Sequence, residues 1–124
     1  MLSLIIRAYL QLILIDVFLA HRNFRRLYDR VRDCQVRQPA QVRYTCEQVC
    51  GAVDIASIWY WKHALCLQRS AATAYLLKMC GIPAQLVIGA QRNPFRAHAW
   101  VEVDGRVVND KPYVADMYSV LDRC

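Results

Sequence analysis

Glycine and proline are scarce in this sequence, with four of each in 124 residues. Their scarcity and the 56% share of apolar residues exclude a disordered or linker-like chain. An internal repeat and a low-complexity tract are also missing, so we expect one domain with one core over residues 1–124. Acidic residues number ten against sixteen basic ones, which gives a net charge of +6. That charge favours acidic partners as a class and does not choose among them.

A secretion signal is not evident, because a basic start and a small-residue cleavage site are both missing from the N-terminus. The six cysteines are therefore interpreted as free thiols in a reducing, cytoplasmic compartment rather than as disulfides. Cys46 and Cys50 are one helical turn apart and could supply two metal ligands. No second pair with suitable spacing follows, so we do not expect a zinc site.

Residues 1–20 form an apolar segment in which sixteen of the twenty side chains are apolar. The polar ones are Ser3, Arg7, Gln11 and Asp16. Their spacing of four or five residues predicts one polar stripe on an amphipathic helix with a wide buried face. A bilayer-spanning helix would bury Arg7 and Asp16 at a few kcal/mol each. We therefore predict a core helix, with attachment to a membrane surface as the less favoured alternative.

Helices are predicted throughout the first half of the chain. Residues 1–61 make up this helical part, and a capping box at Thr45 starts its last helix. A further helix is predicted to begin near Cys66 and to end at Gly81.

Beyond this helix the apolar pattern becomes that of strands. Residues 84–90 and 97–103 are predicted strands, and Asp104-Gly105 is a hairpin signal before a returning strand at 106–110. We therefore predict an α+β fold. Its helical N-terminal half packs on a small antiparallel sheet, and residues 62–124 supply one more helix and that sheet.

Three residues are candidates for a catalytic triad: Cys66, His98 and Asp110. A cysteine hydrolase needs a thiolate, an imidazole that shares its proton, and a group that orients the imidazole. Cys66 is predicted at a helix start, where the helix N-terminus stabilises a thiolate and a backbone N–H can serve an oxyanion. His98 opens a predicted strand just after a loop, whereas His21 and His63 are interpreted as surface or packing residues.

Whether His98 can reach Asp110 depends on the register of the predicted hairpin. A two-residue loop would send the two side chains to opposite faces, whereas a three-residue loop with a glycine bulge places them opposite each other. The three-residue register also sets Glu102 against Arg106 and matches two apolar pairs. We therefore expect the three-residue loop.

Several segments share a pattern with a known family. They are Cys66-Leu67-Gln68-Arg69-Ser70, residues 76–84, residues 86–89, Pro94-Phe95-Arg96-Ala97-His98-Ala99-Trp100-Val101-Glu102, Gly105 and Asn109-Asp110. Together they resemble the lasso-peptide leader peptidases, which have a transglutaminase-like core distantly related to papain. The similarity runs from about residue 66 to residue 110, over a third of the chain.

This resemblance implies a cysteine peptidase that removes the leader from a ribosomally made lasso precursor, so that a separate ATP-dependent cyclase can use the freed amine. By position it makes Cys66 the nucleophile, His98 the general base and acid, and Asp110 the orienting carboxylate. The chemistry that the resemblance implies needs no metal or organic cofactor. Some members carry a leader-binding domain ahead of the protease. These 124 residues do not include it, so the expected partners are the precursor, a separate leader-recognition protein and, as a further candidate, the cyclase.

The docking surface for that recognition protein has two candidates. One is the apolar face of residues 1–20, and the other is the set of arginines between Arg22 and Arg43. The competing interpretation is that the helix closes the core and the arginines are a solvated face.

Two other functions stay open. A non-proteolytic acyl transferase or deamidase would use the same triad and release no leader fragment. A non-catalytic basic scaffold would bind lipid or nucleic acid. Its binding should weaken steeply with salt and should persist in Cys66→Ala. For the peptidase no nucleic-acid partner is expected. The aromatic residues Trp59, Tyr60, Trp61 and Trp100 are candidates for a substrate groove, although packing is the favoured interpretation.

Overall fold

A computed structural model describes residues 2–21, 24–36, 44–61, 65–92 and 94–124. His63 and three of the candidate docking arginines, Arg22, Arg37 and Arg43, lie outside the described residues.

Within the described residues, five helices and four strands follow one another. They are α1 (Leu2–Ala20), α2 (Phe24–Asp33), α3 (Cys46–Trp59), α4 (Cys66–Met79), β1 (Ala84–Gln91), β2 (Arg96–Val103), β3 (Arg106–Val107), α5 (Val114–Met117) and β4 (Ser119–Arg123). Four helices precede the sheet, so the predicted α+β fold class is confirmed.

The predicted boundaries of α3 and α4 are confirmed by their capping contacts. At the start of α3, Thr45 Oγ1 accepts from the Gln48 N–H at 3.2 Å and Gln48 Oε1 accepts from the Thr45 N–H at 2.9 Å, which is a capping box. After α4 the chain turns at Gly81, whose φ is +83°. The Ile82 N–H then donates to Leu77 O at 2.9 Å, as in a Schellman motif.

The sheet is antiparallel, with strand order β3-β2-β1-β4. Strands β1 and β2 pair along their full length, from Ala84 opposite Val103 to Gln91 opposite Arg96. Strand β4 was not predicted from the sequence. Its side chains are exposed from end to end, so its sequence carries no alternation of apolar and polar residues to mark it.

Helix α4 lies at the centre of the fold, in contact with α1, α2 and α3 as well as with β1 and β2. Two buried polar side chains fasten it to its neighbours: Gln68 Nε2 donates to Leu12 O of α1 at 2.7 Å, and Lys78 Nζ donates to Val31 O of α2 at 2.7 Å. Because Cys66 is the first residue of α4, this anchoring also fixes the position of its thiol.

The wide buried face predicted for α1 is present, but the prediction of one polar stripe opposite it is wrong. The fully buried residues are Leu4, Ala8, Leu12 and Ile15, and Ile5, Tyr9, Phe18 and Leu19 are partly buried against the same core. A second apolar row is exposed: Leu2, Ile6, Leu10, Ile13 and Val17. The five-residue step from Gln11 to Asp16 turns the helix by about 140°, so Asp16 leaves the stripe and instead accepts from the Tyr60 hydroxyl at 2.7 Å. By length and composition alone α1 could also cross a membrane. Core helices of soluble proteins and signal sequences meet the same criterion of length and composition.

The predicted three-residue hairpin loop is also wrong. Val103 pairs with Arg106, so the loop is the two-residue turn Asp104-Gly105. Both turn residues are left-handed, with φ of +53° and +76°, as a type I′ turn requires and as Asp-Gly favours. The ladder then ends at Val107, so the alternation of faces along a strand no longer governs where Asp110 points.

Candidate active site

Cys66 occupies the first turn of α4, where backbone N–H groups have no partner within the helix. The preceding residue, Leu65, is extended and caps the helix without a side-chain hydrogen bond. Cys66 is exposed, whereas the other five cysteines are at least half-buried. The start of α4 therefore presents a solvent-accessible thiol together with free backbone donors.

Four of the other thiols lie in environments that disfavour a thiolate. Burial raises the pKa of Cys50 to about 12 and also raises the pKa of three others, Cys46, Cys80 and Cys124. A thiol with a raised pKa stays protonated and unreactive near neutral pH. Among the described residues, no group of three or more Cys, His, Asp or Glu side chains could hold a metal ion.

His98 lies on β2 and is held from two sides. Its Nε2 is 2.6 Å from Asp110 Oδ2, and its ring stacks on Tyr118 with centroids 5.2 Å apart. Against a carboxylate, Nε2 carries the proton and donates it. Nδ1 is then the ring nitrogen that remains to exchange a proton with a thiol.

Asp110 is fixed through both carboxylate oxygens, since Oδ2 faces His98 and Oδ1 accepts from the Lys111 N–H at 2.7 Å. Burial acts to raise the pKa of Asp110, but the hydrogen bonds from His98 and the Lys111 backbone outweigh it and hold the pKa below its ordinary value. Asp110 is therefore an ionised acceptor at neutral pH.

A short hydrogen-bond network joins the three segments that carry these residues. Asn109 Oδ1 accepts from the Val101 N–H at 2.8 Å, while Asn109 Nδ2 donates to Ser70 Oγ at 3.0 Å. Ser70 Oγ in turn donates to Ala99 O at 3.0 Å. Ser70 lies one helical turn after Cys66, Ala99 follows His98, and Asn109 precedes Asp110, so each link lies close to one member of the candidate triad.

Sequence reasoning assigned no role to Ser70 or Asn109. Their polar side chains were visible in the segments at 66–70 and 109–110, but only the fold shows that the two meet. Asn109 replaces a backbone acceptor for Val101 at the point where the ladder ends.

One cavity of about 440 Å³ connects the candidate residues. Its wall contains Cys66, His98 and Asp110, together with Asp54, Arg69, Ser70, Ala99, Val108, Asn109 and Lys111. The fold thus brings the three sequence-predicted residues to one solvent-accessible site. Trp59 and Trp61 are exposed on the helical side and are not part of this wall, while Trp100 is fully buried.

Comparisons with known proteins show what the chain is similar to. The chain is 46% identical over 56 residues to the microcin J25-processing protein McjB of Escherichia coli. The match covers 45% of this chain and 27% of McjB. No solved structure matches the chain. The transglutaminase-like superfamily profile matches residues 11–123, and the chain therefore belongs to the transglutaminase-like superfamily.

Proposed function

We propose that this protein is a cysteine peptidase that removes the leader from a ribosomally made lasso-peptide precursor, with Cys66, His98 and Asp110 as its catalytic triad. The observation that carries the proposal is the shared cavity: an exposed thiol at a helix N-terminus and a His98–Asp110 pair 2.6 Å apart line the same wall. Similarity to a microcin-processing protein supports the substrate class.

In the proposed reaction, the Cys66 thiolate attacks the carbonyl carbon of the scissile peptide bond. The negative charge that develops on the carbonyl oxygen is stabilised by backbone donors at the start of α4, including the Cys66 N–H. Collapse of this intermediate breaks the C–N bond and leaves the leader as a thioester on Cys66.

His98 transfers the protons. Through Nδ1 it takes the proton of the thiol and gives it to the leaving amine; it then takes a proton from the water that hydrolyses the thioester. Asp110 keeps the ring oriented and stabilises the imidazolium that forms. This chemistry uses no metal or organic cofactor.

The proposed setting is the cytoplasm, in keeping with six free thiols. The proposed partners are the precursor peptide and a separate leader-recognition protein, with the cyclase as a further candidate. The chain spans about a quarter of McjB, so these partners are part of the proposal.

The test is cleavage of a lasso precursor in the presence of its leader-recognition protein, followed by mass spectrometry. Wild type should release an intact leader, and Cys66→Ala should release none. His98→Ala should lower the rate by roughly 10²–10⁴-fold. Cys34→Ala, which removes a half-buried thiol outside the cavity, is the matched control and should cleave at the wild-type rate.

Product analysis separates the alternatives. An intact precursor that gains or loses mass at a Gln or Lys side chain, with dependence on Cys66, would indicate an acyl transferase or deamidase. Binding of the precursor without any Cys66-dependent product would leave a scaffold as the better description.

A further inference from the structure

A second cavity of about 300 Å³ adjoins the first at the thiol. Cys66, His98 and Ala99 line both cavities. The two cavities therefore adjoin at the proposed nucleophile, and we treat them as the two arms of one groove.

The two arms of this groove differ in chemistry. The first arm contains the charged side chains of Asp54, Arg69 and Lys111. Apart from the shared residues, the second arm is lined only by apolar ones: Phe24, Leu67, Ile88 and Ala97. We refer to this second arm as the apolar arm.

The apolar arm arises from the register of β1 and β2. Ile88 pairs with Ala99, and Ala97 lies two residues before Ala99, so the three side chains share one face of the sheet. Alanine at two successive positions on that face leaves a hollow bordered by Cys66 and Leu67 of α4. Phe24 of α2 forms another side of it and is 44% exposed, so the hollow is open to solvent.

From this arrangement we infer that the apolar arm binds an aliphatic or aromatic side chain of the peptide substrate, next to the scissile bond. The inference rests on the proposed peptidase function and adds a substrate preference to it. An extended peptide advances about 3.3 Å per residue, so a hollow that shares its wall with the thiol takes a residue adjacent or nearly adjacent to the cut. A charged side chain is disfavoured there, because the apolar wall offers it no partner.

Alkylation of Cys66 tests the hollow without requiring peptidase activity. Iodoacetamide and N-benzyl iodoacetamide form the same thioether bond and release the same iodide, but only the second carries an apolar tail. Peptide mapping by mass spectrometry would give both rates at Cys66 and at Cys34, which lies outside the two cavities and reports intrinsic reactivity. For each thiol we take the ratio of the rate with N-benzyl iodoacetamide to the rate with iodoacetamide, the parent reagent. We expect this ratio to be about tenfold higher at Cys66 than at Cys34.

Two variants locate this preference. Ala97→Leu fills the hollow and should reduce the ratio at Cys66 to that at Cys34, while the parent reagent still reacts. Ala20→Leu is the matched control: Ala20 is exposed at the end of α1 and lines neither cavity, so the ratio should stay at the wild-type value. Equal ratios at the two thiols of wild type would overturn the inference whether or not the variants fold. An equal drop of the rate ratio at Cys66 in Ala97→Leu and in the control variant would also overturn it.

A second experiment uses precursor peptides with Leu, Gly or Asp at the positions flanking the cut. At one of these positions, Leu should be cleaved about 10–100-fold faster than Asp, and Ala97→Leu should shift the preference toward Gly. Uniform cleavage of all three would overturn the inferred specificity and leave the peptidase proposal standing. A reagent preference at Cys66 with no cleavage of any peptide would instead contradict the peptidase proposal.

Discussion

At the scale of single residues, Gly89 controls the aromatic stack behind His98. It pairs with His98 across β1 and β2 and lies at the irregularity between β1 and β4. A Cβ at this position would lie 2.7 Å from Trp100 Cη2 and 2.9 Å from Tyr118 Cβ, both closer than van der Waals contact. The absence of a side chain therefore allows Trp100 and Tyr118 to pack behind the imidazole.

Gly89→Ala should lower the free energy of unfolding by about 1–3 kcal/mol, the usual cost of overpacking a core. It should also lower kcat, because the Tyr118 ring that stacks on His98 must move. Denaturant unfolding and cleavage assays measure the two effects. Gly51→Ala is the control, since nothing lies within 4 Å of its added Cβ and alanine in a helix should add about 0.5–1 kcal/mol. Unchanged stability of Gly89→Ala would show that the close approach is not maintained in solution.

The Asp110 carboxylate should also affect stability at acid pH. Its pKa in the folded protein lies below the ordinary carboxyl value, with the hydrogen bond from His98 as the main lowering contribution. A lowered folded pKa contributes stability above the unfolded-state pKa, about 3.9, and that stability is lost as the pH falls through the folded value.

Asp110→Asn should therefore flatten the rise in unfolding free energy at pH values below about 4. Urea unfolding at several pH values checks this. Asp104→Asn, which replaces an exposed carboxylate in the hairpin turn, is the comparison. An identical pH dependence in Asp110→Asn and wild type would contradict the His98–Asp110 contact.

At the scale of elements, the hairpin shows how far the sequence could lead. The side-chain pairs of the predicted hairpin placed His98 opposite Asp110. The structure also brings these two residues together, but the register of the hairpin differs from the predicted one. Cross-strand pairs contribute only about 0.2–1 kcal/mol each, and the left-handed preference of Asp104-Gly105 outweighs them. Early termination of β3 depends on Asn109 reaching Ser70 of α4, a tertiary contact that no local pattern in the hairpin contains.

The difference between local signals and tertiary contacts also separates the elements that were predicted from those that were missed. Thr45 and Gly81 predicted the boundaries of α3 and α4 because their effects are local to the chain. Strand β4 is exposed along its length and is defined by its pairing with β1, so its sequence alone gives no sign of it.

The Ser70–Asn109 network predicts that α4, β2 and the segment after β3 act as one unit. Ser70→Ala should lower stability by about 1–3 kcal/mol, because it leaves the buried Ala99 carbonyl without this donor. It should lower kcat more than it raises KM, since His98 and Asp110 are positioned by the same network.

Thr73→Ala is the matched control for Ser70→Ala. Thr73 is an equally buried residue of α4, but its hydroxyl donates to Arg69 O within the same helix. Its loss should affect stability without affecting kcat of the folded enzyme. If both variants lower kcat equally, the loss reflects general damage to α4 and not the network.

At the scale of the whole molecule, the fold is a helical layer and a sheet joined through α4. Helix α1 contributes one face to this core and leaves a second apolar row exposed. Composition alone cannot distinguish the two faces, because both consist of Leu, Ile, Val and Ala. Contacts with α3 and α4 select the row at Leu4, Ala8, Leu12 and Ile15.

Leu10 and Leu12 test this assignment with the same substitution on the same helix. Leu12 is fully buried and Leu10 is 57% exposed, so Leu12→Ala should cost about 2–5 kcal/mol and Leu10→Ala at most about 0.5 kcal/mol. Leu12→Ala keeps the carbonyl that accepts from Gln68, so its cost measures lost packing. Denaturant unfolding at two protein concentrations gives both values. A cost above about 2 kcal/mol for Leu10→Ala would contradict the exposure of Leu10 in a monomer. If that cost appears only at the higher protein concentration, a second copy of the chain covers Leu10.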